Sequence, residues 1–208
     1  LYDEEISLIR VQKDEDEIRT LKEAIEITDT IYKNVLERIH TGMNEYEISA
    51  LLQYFSISSG AQQMSFDTIV ATGERTALPH GRPTSRCVKE HEPILMEFGI
   101  QYKNSQSDIT SICFIGQPYD PIAKIYDTVL KANLAGIKAI KEGAIACDVD
   151  KAARDVINQA GYKDYFNHGL GHGIGVDNGS EYAILNQKSK TKLKENMVMS
   201  CETGIYVQ

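Results

Sequence analysis

Two stretches of this chain, 101 residues apart, follow one plan, which confines the fold to architectures made of two related halves. In the first stretch, residues 13–39 read as a long helix. Ile18, Leu21, Ile25, Tyr32, Val35, Leu36 and Ile39 recur near the helical period, and Asp14 to Glu17 place acid in the first turn. Gly42 ends this helix. Residues 45–55 read as a second one, with Ile48, Leu51, Leu52 and Phe55 on one face and Gly60 closing it. At the constant offset, Leu21, Leu36, Ile39, Gly42, Glu47, Ile48 and Gly60 match Ile122, Ile137, Ile140, Gly143, Asp148, Val149 and Gly161. Pro121 stands where a second long helix would start, a position that tolerates proline. The second short helix is expected from about Asp148 to Gln159.

Strand-like runs lie between and after these units. Residues 66–72 are rich in β-branched side chains, 94–102 and 107–115 suit a hairpin around Lys103-Asn104, and 197–206 form a last candidate. Two related helical sets with strands between them predict an α+β fold, a curved and mostly antiparallel sheet backed by helices. A duplicated fold of this kind tends to place its site at the seam between halves.

The formal net charge of -8 argues against nucleic acid as a partner, because phosphate binding needs a basic surface. No apolar run approaches the roughly 18 residues that cross a membrane. Cys87, Cys113, Cys147 and Cys201 form no CxxC pair and read as reduced thiols, which suits the cytoplasm. The chain opens on Leu1 and ends in a strand-like run at Gln208, so a fragment is expected at both ends, and a leader segment stays open.

The densest chemistry lies in His168-Gly169-Leu170-Gly171-His172-Gly173-Ile174-Gly175. Interleaved glycines make a poor helix and a good tight turn, so this run reads either as a solvated loop or as a turn presenting imidazoles to a metal or substrate. Glu97, Asp108 and Glu202 stand in strand-like contexts, Glu97 and Glu202 among apolar neighbours, where a charge is costly unless paired or bound. Three such acids and a histidine loop favour a metal, and oxygen-rich ligation with one imidazole suits Mn(II), Co(II) or Fe(II) better than structural zinc.

The motifs Pro79-His80-Gly81, Glu97-Phe98-Gly99, Ser107-Asp108-Ile109-Thr110, His168-x-x-Gly171-His172-Gly173-Ile174-Gly175 and Glu202-x-Gly204-Ile205-Tyr206 occur in the order and approximate spacing of the pita-bread metallopeptidases. The chain therefore resembles that family of prolidases, Xaa-Pro aminopeptidases, methionine aminopeptidases and creatinases. Phe66 to Gly73 and the paired His168 and His172 look closest to the Xaa-Pro branch. The resemblance implies metal ligands at Glu97, Asp108, His172 and Glu202. It implies that Glu202 also handles a proton, that His80 contacts substrate near the scissile bond, and that His168 lines the site for the residue after it. Two divalent ions are implied, Mn(II) first, with Co(II) or Zn(II) as alternatives. The implied partners are proline-containing di- or oligopeptides and a second copy of the chain in a homodimer. Residues 1–11 would be a linker from an N-terminal domain, and 12–208 a pita-bread catalytic domain lacking its last bridging glutamate.

The sequence departs from the family pattern in specific places. Glu97 replaces aspartate, Gly179 and Ser180 stand where a second active-site histidine and a glutamate are usual, Thr203 replaces proline, and Ser111 replaces arginine. These departures keep a second reading open, a degenerate member that uses its cleft to hold a peptide or protein. Methionine aminopeptidase and creatinase-type activities are further alternatives.

Overall fold

The structure, a computed structural model, describes residues 9–176 and 178–207, with residues 178–183 described as backbone. Residues 1–8 of the expected linker and Gln208 lie outside the described residues. The chain forms two compact units. One is Arg19–Ala123; the other is Lys124–Val207 together with the segment ahead of Arg19.

The first unit holds most of helix α1 (Glu15–Leu36), which is shorter at both ends than the periodicity predicts. Its start is fixed by a reciprocal cap: Glu17 N donates to Asp14 Oδ1 and Asp14 N donates to Glu17 Oε2, both at 2.8 Å. Helix α2 (Glu45–Ser58) uses the same device with Asn44 and Glu47. Ile31, Val35, Ile48 and Leu52 are fully buried in one cluster with Val70, Ile94, Met96, Phe98 and Ile100. The strands of this unit are β1 (Gln63–Met64), β2 (Ile69–Thr72), β3 (Pro93–Phe98), β4 (Ile100–Tyr102), β5 (Ser105–Gln106) and β6 (Ile109–Phe114), and β2, β3 and β4 supply the latter residues. They pair antiparallel in the orders β2-β3-β6 and β1-β4-β5. The predicted turn at Lys103-Asn104 is present, with φ of 47° and 64° at the two residues, as two-residue hairpin turns require. The run 94–102 is broken at Gly99, where a β-carbon would stand 1.8 Å from the Ser107 carbonyl oxygen.

A buried carboxylate organises the approach to this sheet. Glu45 is wholly inaccessible. Its Oε1 accepts from Thr72 N and Thr72 Oγ1, and its Oε2 accepts from Thr84 N and Thr84 Oγ1. Arg75 Nε lies 3.1 Å from Oε2 and completes the set. The start of α2, the end of β2 and the loop around Thr84 are thereby tied to one side chain.

The second unit holds most of α3 (Asp120–Ala139), then α4 (Ala146–Gln159), β7 (Gly171–Ile174) and β8 (Asn178–Leu185), the last pair antiparallel. Helix α4 starts 101 residues after α2, and each has 14 residues. The matched glycines explain part of the repeat: Gly42, Gly60, Gly143 and Gly161 have φ of 91°, 91°, 83° and 88°, a region costly for any residue with a β-carbon. Gly42 N donates to Val88 O, and Gly143 N donates to Leu193 O. His91 and Asn196 both have positive φ, at 67° and 64°. In these later pairs the offset has grown to 105 residues, a match that helical periodicity could not reveal.

The predicted last strand, 197–206, runs beside β7. Ile174 N donates to Val198 O, Ser200 N to His172 O and Glu202 N to Leu170 O, an antiparallel ladder. Ala132, Val149, Ala153, Ile157, Phe166, Leu170 and Leu185 form the buried core of this unit.

Glu45→Ala should destabilise the protein by about 3–5 kcal/mol, because it strands buried donors and a partly buried guanidinium. Glu47→Ala, which removes half of one cap, should cost about 1 kcal/mol. Urea unfolding followed by circular dichroism checks both the size and the order of these effects.

Candidate metal centre

Each unit carries two of the four expected metal ligands, Glu97 and Asp108 in one and His172 and Glu202 in the other, each pair placed across neighbouring antiparallel segments. In the second unit the placing element is β7. A β-carbon at Gly171 would lie 2.1 Å from the Ser200 carbonyl oxygen, so only glycine lets the ladder close here. His172 follows, half-buried, with its backbone N–H donating to Ser200 Oγ at 3.0 Å. His172 and Ser200 face each other across the ladder, and Glu202 is two residues further along. His172 and Glu202 are therefore diagonal neighbours on one face, within reach of each other.

They meet. His172 Nε2 is 3.1 Å from Glu202 Oε1. The other ring nitrogen, Nδ1, lies 3.0 Å from Gly173 O, and a carbonyl can only accept, so Nδ1 carries the hydrogen. In the neutral ring Nε2 then presents a lone pair. Glu202 Oε1 is buried and, among the described residues, receives no hydrogen bond. A lone pair on nitrogen and a lone pair on oxygen that converge in this way fit a divalent cation, with Nδ1–H to a carbonyl as the usual outer partner of a ligating histidine. Burial pushes the Glu202 carboxyl up, but hydrogen bonding from the protonated form of the His172 ring and from Ser200, with the charge of His168 nearby, outweighs this and leaves it net below the usual glutamate range.

The strand bearing Glu202 is pinned from α3. Asn133 Nδ2 donates to Cys201 O at 2.7 Å, and Thr203 Oγ1 donates to Val129 O at 3.2 Å. Thr203, which departs from the family pattern, thus makes a bond that proline could not. Upstream of β7, His168 is half-buried, with Nδ1 at 2.7 Å from Gly169 O and Nε2 at 3.0 Å from the Tyr206 hydroxyl.

In the first unit Glu97 lies on β3 opposite Thr110, and Phe98 lies opposite Ile109. Asp108 immediately precedes Ile109, which makes Glu97 and Asp108 diagonal neighbours as well. Both are half-buried. Asp108 is located by the buried Ser107, whose N–H donates to Ile100 O at 2.9 Å and whose Oγ accepts from Ile100 N at 3.0 Å. The close approach of Gly99 to Ser107 parallels that of Gly171 to Ser200. On the offset of 105, Glu97-Phe98-Gly99-Ile100 matches Glu202-Thr203-Gly204-Ile205, so the two glutamates occupy equivalent places in the two units. Ser111, where arginine is usual, has its Oγ 2.8 Å from the Tyr32 hydroxyl. His80 is exposed on a turn closed by Gly81 N donating to Leu78 O. Gly179 falls on β8.

Sequence reasoning missed Tyr206 as the partner of His168, although the residue stood inside a quoted motif. It also missed Asp150 and Arg154, whose i,i+4 spacing on a predicted helix was a usable signal.

The profile of metallopeptidase family M24 matches residues 19–208. A curated relative, the Xaa-Pro dipeptidase of Pyrococcus furiosus, is 37% identical over 205 residues, covering 99% of this chain and 59% of its own length. Among solved structures, an X-Pro aminopeptidase from Thermotoga maritima superposes with a TM-score of 0.95 at 39% identity, covering 99% of this chain and 58% of that one. An Xaa-Pro dipeptidase from Bacillus anthracis gives 0.95 at 39% identity, covering 97% and 57%. The chain thus spans somewhat under three-fifths of the length of these similar proteins.

Burial raises the thiols of Cys113 and Cys201 to about 11, and the Glu202 charge adds to the effect at Cys201. Cys87 is exposed. Iodoacetamide at pH 8 should therefore modify Cys87 in the folded protein and reach Cys113 and Cys201 only after unfolding, as peptide mass mapping would record.

Proposed function

Since the chain belongs to metallopeptidase family M24, we propose that it carries the catalytic domain of a peptidase that cleaves Xaa-Pro bonds. The observation that carries this reading is the convergence of His172 Nε2 and the buried Glu202 Oε1 at 3.1 Å. We assign Glu97, Asp108, His172 and Glu202 as the groups that hold two divalent ions, Mn(II) first. When bound, such ions act as Lewis acids and make water acidic enough to attack near neutral pH. The protein supplies the rest. Glu202, ionised at neutral pH, offers one oxygen as a ligand and serves as proton acceptor and donor through its carboxylate. The leaving nitrogen of an Xaa-Pro bond is tertiary, so a proton must be delivered to it. His80 contacts the substrate near the bond, and His168, held by Tyr206, faces the residue after it. Both known Xaa-Pro dipeptidases named above and the aminopeptidase support substrates with proline in second place. Four free cysteines and an acidic balance agree with a reducing compartment such as the cytoplasm.

Glu97 in place of aspartate and Gly179 in place of histidine favour a second reading, a member that binds peptides without turning them over. Glutamate moves the carboxylate by one methylene in a site whose geometry tolerates about 0.5 Å. Loss of one donor to a developing oxyanion typically costs about 2.7–4 kcal/mol, roughly 10²–10³ in rate.

Calorimetric titration with Mn(II) should show binding to the natural full-length protein. His172→Ala should abolish it while His168→Ala leaves it in place; the reverse result would exchange the roles of the two imidazoles.

Hydrolysis of Xaa-Pro dipeptides and of longer peptides with proline second should be measurable but slow. Gly179→His and Glu97→Asp should each raise it, the first by up to roughly 10²–10³. Confirmed metal occupancy with no cleavage by the wild type, either single variant or the double variant would leave the binding reading in its place.

A further inference from the structure

We infer that Arg154, clamped by Asp150, is a positioning residue that sets where His168 stands. The role of His168 toward substrate rests on the peptidase reading; the clamp itself does not. Asp150 is fully buried and Arg154 is 9% exposed. They lie one turn apart on α4 and pair bidentately, Nε to Oδ2 at 2.8 Å and Nη2 to Oδ1 at 2.9 Å. A buried ion pair is weak evidence for stability, because removing two charges from water costs as much as the pairing returns. Here the remaining hydrogen-bonding capacity of the pair is aimed at one loop. Arg154 Nη1 donates to Phe166 O at 2.8 Å, and Nη2 donates to His168 O at 2.7 Å. Asp150 Oδ1 accepts from Leu170 N at 3.1 Å. Alternate residues of 166–170 are thus held by two side chains of a single helical turn.

The same guanidinium reaches the imidazole by a second route. Its carbon stands 4.1 Å from the centre of the Phe166 ring, and that ring meets His168 edge-on at 4.9 Å. The His168 backbone and one of its ring contacts therefore depend on Arg154, while Tyr206 holds Nε2. Lysine cannot reproduce this set, because it is a point charge without a planar fork. Leu170 O is also the acceptor for Glu202 N at 2.6 Å, but that bond is anchored through Asp150 and the ladder, not through the guanidinium. Arg154 and the metal ligands should therefore separate experimentally.

The test uses the full-length, metal-free protein and side-chain nitrogen NMR of its histidines. In Arg154→Lys the His168 ring signals should shift or broaden while those of His40 and His91 stay in place. In the Mn(II)-loaded enzyme, KM for an Xaa-Pro dipeptide should rise by up to roughly 10²-fold, with Mn(II) affinity nearly unchanged. Unmoved His168 signals in a folded variant would overturn the inference, as would equal movement of His40 and His91, which marks general loosening. If Arg154→Lys does not fold, Phe166→Leu leaves the ion pair intact and carries the same expectation for His168. Confirmed metal occupancy with no hydrolysis by the wild type or by the Gly179→His and Glu97→Asp variants, singly or together, while His168 signals still respond to Arg154→Lys, would sink the peptidase reading and uphold the positioning role.

Discussion

Every candidate ligand in this chain depends on backbone brought closer than a β-carbon permits. At Gly99 the Ser107 carbonyl lies where a methyl group would be, and at Gly171 the Ser200 carbonyl does the same. These approaches let a strand end abut its neighbour without a side chain between them. Diagonal positions across the resulting ladders then bring Glu97 beside Asp108 in sequence register, and His172 to Glu202 in direct contact. A larger residue at either glycine would push the ladder apart, and the polar groups it aligns would lose their common face. The ligand geometry is thus a property of main-chain packing first and of side-chain choice second.

Around these ladders buried acids are handled in two ways. Glu45 is buried and saturated, with backbone, hydroxyl and guanidinium donors on both oxygens. Asp150 is also buried and saturated, through Arg154 and Leu170 N. Glu202 is the contrast, a largely buried carboxylate with one oxygen left without a donor among the described residues. That oxygen keeps acceptor capacity that a cation held with His172 could use. That difference separates a structural carboxylate from a candidate ligand more sharply than burial alone.

Much of this was legible in the sequence. The helix pairs, their glycine stops and the hairpin at Lys103-Asn104 follow from periodicity and turn chemistry, because each is decided by neighbours a few residues away. His172 and Glu202, which the resemblance pairs as ligands, stand 3.1 Å apart. What could not be read was non-local. The start of α1 at Glu15 depended on which acid became the cap. The break at Gly99 depended on Ser107 coming within contact, and the equivalence of Glu97 with Glu202 was hidden by a change of offset. Arg154 was passed over because a charge on a helix is usually solvated, and only the path of residues 166–170 across α4 buries it.

The change of offset has a consequence of its own. The halves keep step at 101 residues through the glycine stops, and again at 105 from Thr191 onward. The four extra residues must therefore fall between β7 and Thr191, in the stretch that holds β8. The ladder at 198–202 regains its register after them, so this stretch can lengthen or shorten without shifting Glu202. Backbone pairings flank this interval on both sides, Ile174 N with Val198 O before it and Ala146 N with Thr191 O after it. Gly179 and Ser180 lie inside that interval. The four added residues and the two departures from the family pattern thus share one stretch, while the backbone pairings at 198–202 beside it keep the register of the first half.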